Sequence, residues 1–234
     1  MEVSGLNRNR SLRLLCIFAL LAVMMGIAVS CKQQAAKAGA AERPMQQNSE
    51  RPLLVNLWNS LPETHSVELV SLGNGHAIAK EAYPYLMDLL DAAEEEGLSP
   101  IICSSYRSYE TQQELFSNKV AQYLALGYSQ ADAEREAGKW VARPGTSEHQ
   151  TGLAVDLVAL DYQLLDENQE TTAEQIWLMA NAHHYGFILR YPQDKSAITG
   201  IYYEPWHYRY VGIALAKELH EKGLCLEEYL QQNQ

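Results

Sequence analysis

The stretch that decides how this chain folds is Thr146-Ser147-Glu148-His149-Gln150-Thr151-Gly152-Leu153-Ala154-Val155-Asp156. Its apolar second half predicts a strand over residues 152–158, and residues seven apart in a regular strand face opposite sides. His149 and Asp156 can therefore meet only if His149 lies on a loop before the strand, and Gly152 supplies the bend that such a loop needs. An unpaired carboxylate is costly to bury in an apolar strand, so Asp156 is expected to bind a metal ion or a cationic side chain.

A second polar stretch, Glu204-Pro205-Trp206-His207, follows later in the chain. In an unbroken strand Glu204 and His207 would face opposite sides, but Pro205 removes a ladder hydrogen bond and permits a kink that brings both to one site. Two His and one Asp form the ligand set of a catalytic zinc site with one open position, and Glu204 can act as its base. Taken singly, His149 could be an ordinary loop histidine and His207 an aromatic packing residue, so the prediction depends on both stretches.

The flanking sequence mixes helical and extended patterns without a strict βαβ alternation. Apolar periodicity and capping residues predict helices over 78–96, 109–126, 129–141, 172–185 and 213–222 and from 226. Strands are predicted over 98–103, 152–158, 187–191 and 201–211, and loops over 56–75 and 192–199. This pattern favours the α+β class, with a small, largely antiparallel sheet flanked by helices.

The N-terminus has the pattern of a targeting segment. Arg8, Arg10 and Arg13 precede an uncharged apolar run, 14–29, which is short for a membrane-spanning helix and typical of a signal peptide. Residues 28–31 resemble a bacterial lipobox, which favours lipidation at Cys31 over an uncleaved signal anchor or an ordinary cleaved signal peptide. We therefore expect a leader over 1–31, a flexible linker over 32–50 and a folded domain over 51–234, outside the cytoplasm and anchored to the membrane of the bacterial cell envelope.

Charge and cysteine content restrict the possible partners. The chain has 234 residues and a net charge of −11; three Arg and one Glu in residues 1–30 give +2, which leaves −13 for the remainder. Such an acidic domain repels phosphates, so no nucleic-acid partner is expected. Outside the leader, Cys103 and Cys225 are the pair that could form a disulfide, and buried free thiols are the favoured alternative.

The two polar stretches and several longer motifs carry a resemblance to a known family. Ser147-x-His149-x-x-Gly152-x-Ala154-x-Asp156 followed by Glu204-x-x-His207 resembles the signature of the VanY-like D-alanyl-D-alanine carboxypeptidases, a zinc peptidase group that also includes D-Ala-D-Ala dipeptidases and, more distantly, the hedgehog signalling domain. The resemblance extends over roughly residues 53–210 and includes the segments 105–112, 140–146, 185–192 and 195–200. Ser105 is a small departure, since Gly is common there.

The resemblance implies a hedgehog-like fold and a role for each site residue. His149, Asp156 and His207 would bind Zn²⁺, and Glu204 would act as general base and acid. Arg107 would stabilise developing negative charge or bind the substrate, and Gln112, Ser147 and Tyr106 would line the substrate pocket. The implied substrate is a peptidoglycan stem peptide ending in D-Ala-D-Ala. A monomer is expected, although the sequence itself does not reveal the oligomeric state.

Two other functions compete with this interpretation. An L,D-carboxypeptidase or an endopeptidase of peptidoglycan would use the same residues, because pocket shape alone separates these activities. A zinc-containing cell-wall-binding module without turnover is disfavoured, since a pure binder has no need of Glu204 and Arg107 beside the metal.

Overall fold

Six strands form two antiparallel sheets in the computed structural model, which describes residues 52–62 and 65–233. The strands are β1 (Leu69–Gly73), β2 (His76–Ala79), β3 (Pro100–Ser104), β4 (Ala154–Ala159), β5 (Phe187–Leu189) and β6 (His207–Tyr210). The larger sheet has the order β3-β4-β6-β5, and β1 and β2 form a separate hairpin. Small antiparallel sheets combined with helices confirm the predicted α+β class.

β4 is an inner strand of the larger sheet, and its register positions the polar residues of the site. All six of its residues are buried between β3 and β6. Asp156 pairs with His207 on β6 and with Ser104 on β3. Val155 and Leu157 belong to the hydrophobic core, so Asp156 faces the other side of the sheet, as the predicted alternation requires.

The predicted helices are confirmed, with several shifted ends. The helices of the described residues are α1 (Tyr83–Glu95), α2 (Tyr109–Ala125), α3 (Gln130–Ala137), α4 (Ala173–Asn181), α5 (Ser196–Thr199), α6 (Ile213–Lys222) and α7 (Leu226–Gln232), of which α5 was not predicted. Side-chain oxygens of Ser108, Ser129 and Thr172 cap α2, α3 and α4 by accepting from backbone N–H groups. α3 ends before Gly138, a poor helix former, rather than at residue 141. The helix predicted over 172–185 changes into a 3₁₀ turn after Asn181.

The sequence prediction is wrong at the β1–β2 hairpin. Residues 69–73, which were expected to form a loop, pair with β2, so Ile78 lies in a strand and not at the start of a helix. Gly73, Asn74 and Gly75 all have positive φ and form the connection between the strands. A proline in the first turn of α1 marks the true beginning of that helix.

The strand predicted over 201–211 is wrong in its first half. Only His207–Tyr210 pairs with the sheet, and residues 201–206 form an irregular segment before it that includes Pro205, which has no N–H for a ladder. The loop predicted over 192–199 contains the short helix α5.

The main core lies between the larger sheet and the helices α1 and α4. Its buried members are Ile78, Ala82, Leu86, Leu89, Val155, Leu157, Leu178, Ala182, Phe187, Tyr208 and Tyr210. Alternate residues of β4 and β6 therefore anchor the sheet, while the residues between them are available for a polar site on the opposite face.

Cys103 and Cys225 are both free thiols. Cys225 is buried, as expected, but the prediction is wrong for Cys103, which is exposed because β3 is an edge strand of the sheet.

The expected leader (1–31), the proposed lipidation site Cys31 and the linker (32–50) lie outside the described residues. Within the described part of the chain, none of the helices combines the length and the apolar character that crossing a membrane requires.

Candidate metal centre

Asp156 and His207 meet across the β4–β6 pair. Asp156 Oδ1 lies 3.0 Å from His207 Nδ1, and both side chains are almost fully buried. Burial alone would raise the pKa of Asp156, but His149 and His207 hold it well below its ordinary value. The carboxylate is therefore ionised, which a metal ligand must be.

His149 reaches the same carboxylate from the 3₁₀ turn Glu148–Thr151, which precedes β4. The turn ends at Gly152, whose φ of 71° confirms the predicted bend. His149 Nδ1 donates to the carbonyl oxygen of Ser105 at 2.7 Å, because a carbonyl can only accept. Its other nitrogen, Nε2, keeps a lone pair and lies 3.3 Å from Asp156 Oδ1.

These three side chains fit a zinc ion. One ligand atom from each of His149, Asp156 and His207 lies within 4.8 Å of the others, and all three residues are buried. Two imidazole nitrogens and one carboxylate oxygen form a donor set that suits zinc and leaves one coordination position open. No other group of three potential ligands is found among the described residues.

The two histidines differ in their protonation in the absence of metal. Burial and the nearby Arg107 lower the pKa of His149 to about 4, against the opposing effect of Asp156. Burial also acts to lower the pKa of His207, but its hydrogen bond with Asp156 and the nearby Glu148 carboxylate outweigh this and raise it to about 9. His149 is thus ready to bind a metal at neutral pH, whereas His207 must first lose a proton.

Glu204 lies beside the cluster without being part of it. Its Oε2 is 3.8 Å from His207 Nδ1, and the backbone N–H of His207 donates to the Glu204 carbonyl at 3.1 Å. This tight turn through Pro205 brings both side chains to one side, which is the effect that the sequence predicted. Burial raises the pKa of Glu204 to about 8; His207 opposes this rise and Asp156 adds to it.

Arg107 has a more definite role in the structure than the sequence suggested. Its Nη2 donates to Asp156 Oδ2 at 3.0 Å, its Nε to Ser104 Oγ at 2.9 Å and its Nη1 to Gln112 Oε1 at 3.3 Å. The guanidinium therefore fixes the Asp156 oxygen that does not face the histidines. It also lines the cavity beside the cluster.

The three residues expected to line the substrate pocket lie at different depths. Ser147 is buried and lines the cavity. Gln112 is fully buried behind Arg107, with its Nε2 donating to the Ala142 carbonyl at 2.7 Å, so its link to the cavity passes through Arg107. Tyr106 is half-buried next to Arg107 in the chain and is not among the cavity-lining residues.

A cavity of about 250 Å³ opens over the cluster. Its walls combine the polar groups with apolar and aromatic side chains, including Leu115, Lys119, Trp140, Val141, Leu165, Tyr191, Ile201 and Trp206. The three candidate ligands thus line a space that can hold part of a small peptide.

A buried ion-pair cluster around Glu148 was missed at the sequence level. Arg190 and Arg209 both donate to Glu148 Oε1 at 2.8 Å, and Arg190 also pairs with Glu227. Burial would raise the pKa of Glu148, but the two arginines hold it below its ordinary value. The sequence does contain a signal for this cluster. Arg190 and Arg209 interrupt apolar strand sequences, and a buried arginine needs an anionic partner.

Comparison with known proteins agrees with this geometry. The family model described as "VanY: D-alanyl-D-alanine carboxypeptidase" matches residues 75–213. A D-alanyl-D-alanine carboxypeptidase of Enterococcus faecalis is 51% identical over 180 residues, which cover 76% of this chain and 65% of that protein. The chain spans between 54% and 65% of the length of the curated relatives it matches.

Three solved structures are similar over most of the folded domain. A mutant of the vancomycin resistance D,D-pentapeptidase VanY from a VanB-type cassette, in complex with Zn(II), is 50% identical with a TM-score of 0.70 and covers 76% of this chain and 97% of that one. VanYB in complex with D-alanine-D-alanine is 50% identical with a TM-score of 0.72, over 78% of this chain and 98% of that one. The LD-carboxypeptidase LdcB is 40% identical with a TM-score of 0.65, over 76% and 84%.

The match of the family model over more than half of the chain, together with two structures of the same family that share half of its aligned residues, leads to one conclusion. The chain belongs to the VanY family of D-alanyl-D-alanine carboxypeptidases.

Proposed function

We propose that this protein is a zinc-dependent D-alanyl-D-alanine carboxypeptidase that removes the terminal D-Ala from peptidoglycan stem peptides. The observation that carries the proposal is the convergence of His149, Asp156 and His207 beside a buried Glu204 in one cavity. The Zn(II) and D-alanine-D-alanine complexes of the two VanY structures support both the metal and the substrate.

Each ligand would use a definite atom. His149 would bind through Nε2, because its Nδ1 donates to Ser105, and Asp156 would bind through Oδ1, because its Oδ2 accepts from Arg107. His207 binds through Nδ1, the nitrogen that faces Asp156. Zinc, when bound there, supplies Lewis-acid chemistry: it polarises the amide carbonyl and lowers the pKa of a water molecule at the open position to about 7.

Glu204 moves the proton in this reaction. As a carboxylate it accepts a proton from the attacking water, and it then donates that proton to the nitrogen of the leaving D-Ala. Its pKa of about 8 in the metal-free protein keeps it protonated at pH 7, and a divalent cation nearby favours the ionised form.

Arg107 supplies a fixed positive charge at the cavity wall. A guanidinium has five N–H groups, and contacts with Ser104, Gln112 and Asp156 leave two for the substrate. These either stabilise the oxyanion or bind the terminal carboxylate, and both groups are anions that a fork of N–H donors suits. Ser147 contributes a hydroxyl to the same cavity.

The proposed setting is the outer face of a bacterial membrane. The leader predicted over 1–31, with Cys31 as its lipidation site, would anchor a monomeric domain next to the cell wall. The acidic surface predicts no nucleic-acid partner.

An L,D-carboxypeptidase activity is the second candidate, because the LD-carboxypeptidase LdcB is 40% identical over 76% of this chain. The L,D reaction differs from the D,D reaction only in the stereochemistry of the substrate residue before the scissile bond. The same catalytic residues would serve both reactions.

The test is to incubate the zinc-loaded full-length protein with two synthetic stem peptides and to follow the products by mass spectrometry. One peptide ends in D-Ala-D-Ala and the other in an L-residue followed by D-Ala. We expect the first to lose one alanine and a chelator to stop the loss. Cleavage of the second peptide alone would assign L,D activity, and zinc binding without cleavage of either would contradict an enzymatic function.

A further inference from the structure

Glu148 takes no part in the proposed reaction, yet it is only 1% exposed and lies against the metal centre. Its Oε1 accepts from Arg190 Nε and from Arg209 Nη1, each at 2.8 Å. Two guanidinium groups on one oxygen keep the carboxylate ionised and fix its orientation. The second oxygen, Oε2, therefore points in a defined direction.

Glu148 Oε2 faces Nε2 of His207, the ring nitrogen that does not contact Asp156. The distance from Oε2 to His207 Nε2 is 3.5 Å, and both are buried atoms without a hydrogen-bond partner among the described residues. Leaving a buried donor and a buried acceptor unsatisfied is costly, so a small movement that closes this gap is favourable. Since a carboxylate only accepts, the proton of this bond belongs to His207 Nε2.

We propose that Glu148 is a positioning residue of the metal centre: it holds the proton of His207 on Nε2 and so presents the Nδ1 lone pair to the metal ion. The inference rests on the proposed zinc function. His149 is fixed in the opposite sense, because the Ser105 carbonyl takes its Nδ1 proton and leaves Nε2 for the metal. Each histidine ligand thus has a partner that selects its tautomer and orients its ring.

The support for Glu148 extends to the C-terminal helix. Arg190 donates from Nη1 and Nη2 to the two oxygens of Glu227 on α7, at 2.9 and 2.6 Å. Glu227 also accepts from Asn56 Nδ2 at 2.9 Å. A line of buried polar contacts therefore connects His207 with both ends of the described domain, and it gives Glu148 little freedom to move.

A purely structural ion-pair cluster is the competing explanation, and a matched pair of variants separates the two. In Glu148→Gln, the two arginines require the amide oxygen at the position of Oε1, so the amide NH₂ turns toward His207 and favours the wrong tautomer. Glu227→Gln disturbs the same Arg190 cluster one contact further away. Both variants should lose thermal stability.

The readouts are zinc affinity by chelator competition and the visible spectrum of the Co²⁺-substituted full-length protein. We expect Glu148→Gln to weaken zinc binding by roughly 10- to 100-fold and to shift the Co²⁺ bands, a size typical of partners that orient metal ligands. Glu227→Gln should leave both unchanged. A Glu148→Gln protein with unaltered zinc affinity and Co²⁺ spectrum would overturn the proposal.

A measurement on the zinc-loaded wild-type chain covers the case in which Glu148→Gln does not fold. Nitrogen-15 NMR of the imidazole rings should show the His207 proton on Nε2 and zinc on Nδ1. The reverse assignment would refute the role of Glu148. Because neither readout uses hydrolysis, a protein that binds zinc in this way but cleaves no peptide would contradict the proposed function alone.

Discussion

The two histidines proposed as zinc ligands, His149 and His207, start from opposite protonation states, although their rings lie only 4.8 Å apart. His149 has a pKa of about 4 and His207 a pKa of about 9 in the metal-free protein. The nearby carboxylates of Asp156 and Glu148 stabilise the charged form of His207, whereas burial and Arg107 destabilise that of His149. His207 must therefore give up a proton when zinc binds at neutral pH.

Zinc affinity should consequently depend on pH through His207. Its raised pKa means that the proton competes with the metal below pH 9, so the apparent affinity should rise about tenfold per unit between pH 6 and 8 and level off above about 9. Chelator competition at a series of pH values measures this. Glu204→Gln serves as the control, because it removes the other nearby group with a pKa of about 8. If the zinc affinity of Glu204→Gln did not change with pH, His207 would have to be neutral before zinc binds, which would contradict the prediction.

Replacing Glu204 should separate metal binding from turnover. Glu204→Ala removes the proton carrier but none of the proposed ligands, so zinc content should be retained while kcat falls by about 10²- to 10⁴-fold. His207→Ala should lose both zinc and activity. Steady-state kinetics on a D-Ala-D-Ala peptide with parallel metal analysis provide the comparison, and near-normal hydrolysis by Glu204→Ala would rule out the mechanism.

At this scale the sequence predicted residue types better than contacts. His149, Asp156, Glu204 and His207 stand out because their spacing and apolar surroundings suit a metal ligand set. The bond between Arg107 and Asp156 joins residues 49 positions apart. No local pattern contains such a contact, because it depends on the register of β3 against β4.

The turn that carries His149 depends on Gly152 for two separate reasons. Its φ is 71°, and a Cβ there would lie 3.1 Å from the backbone nitrogen of Ala79 on β2. A side chain would thus meet a conformational penalty and a contact with backbone that cannot easily move. The close approach of β2 therefore fixes the backbone position of the turn from which the His149 side chain extends into the site.

Gly152→Ala should therefore destabilise the domain more than a glycine substitution at an open site. Gly97→Ala is the matched control, with φ 77° and no atom within 4 Å of the added Cβ. The left-handed backbone alone predicts a loss of about 1–2 kcal/mol for Gly97→Ala, and the close contact adds to it at Gly152. Urea unfolding of both variants measures the difference. Equal losses in the free energy of unfolding would contradict the prediction, because β2 would then move aside at no energetic cost.

Elements with local signals were predicted well, and those defined by pairing were not. α6 has its predicted bounds, and the N-caps at Ser129 and Thr172 were read from residue type. The sequence did not predict β1, because its residues alternate only weakly and the second half of its partner β2 falls in the helix predicted over 78–96. The strand predicted over 201–211 was too long, because a run of aromatic residues looks extended whether or not it pairs.

For the whole molecule, the proposed metal site joins three separately placed elements: the 3₁₀ turn Glu148–Thr151, β4 and β6. A ligand that bridges them binds the folded state and not the unfolded chain, so its binding energy adds to the stability of the entire domain. The sequence predicted the fold class, but not the strand order β3-β4-β6-β5 that makes these elements neighbours. Only packing of the complete chain determines that order.

Removing zinc should lower the melting temperature of the domain. At a zinc concentration about a thousandfold above Kd, binding contributes about 4 kcal/mol, which corresponds to roughly 10 °C for a chain of this size. Differential scanning calorimetry with and without a chelator tests this. His207→Ala, which lacks one ligand, should show a much smaller shift, and an equal shift in both proteins would place the stabilising metal elsewhere.

The most direct measurement is anomalous diffraction at the zinc edge from crystals of the metal-loaded protein. The account predicts one strong peak bonded to His149 Nε2, Asp156 Oδ1 and His207 Nδ1, with Glu204 close by but not a ligand. A peak bound to other residues, or no peak between these three side chains, would contradict it.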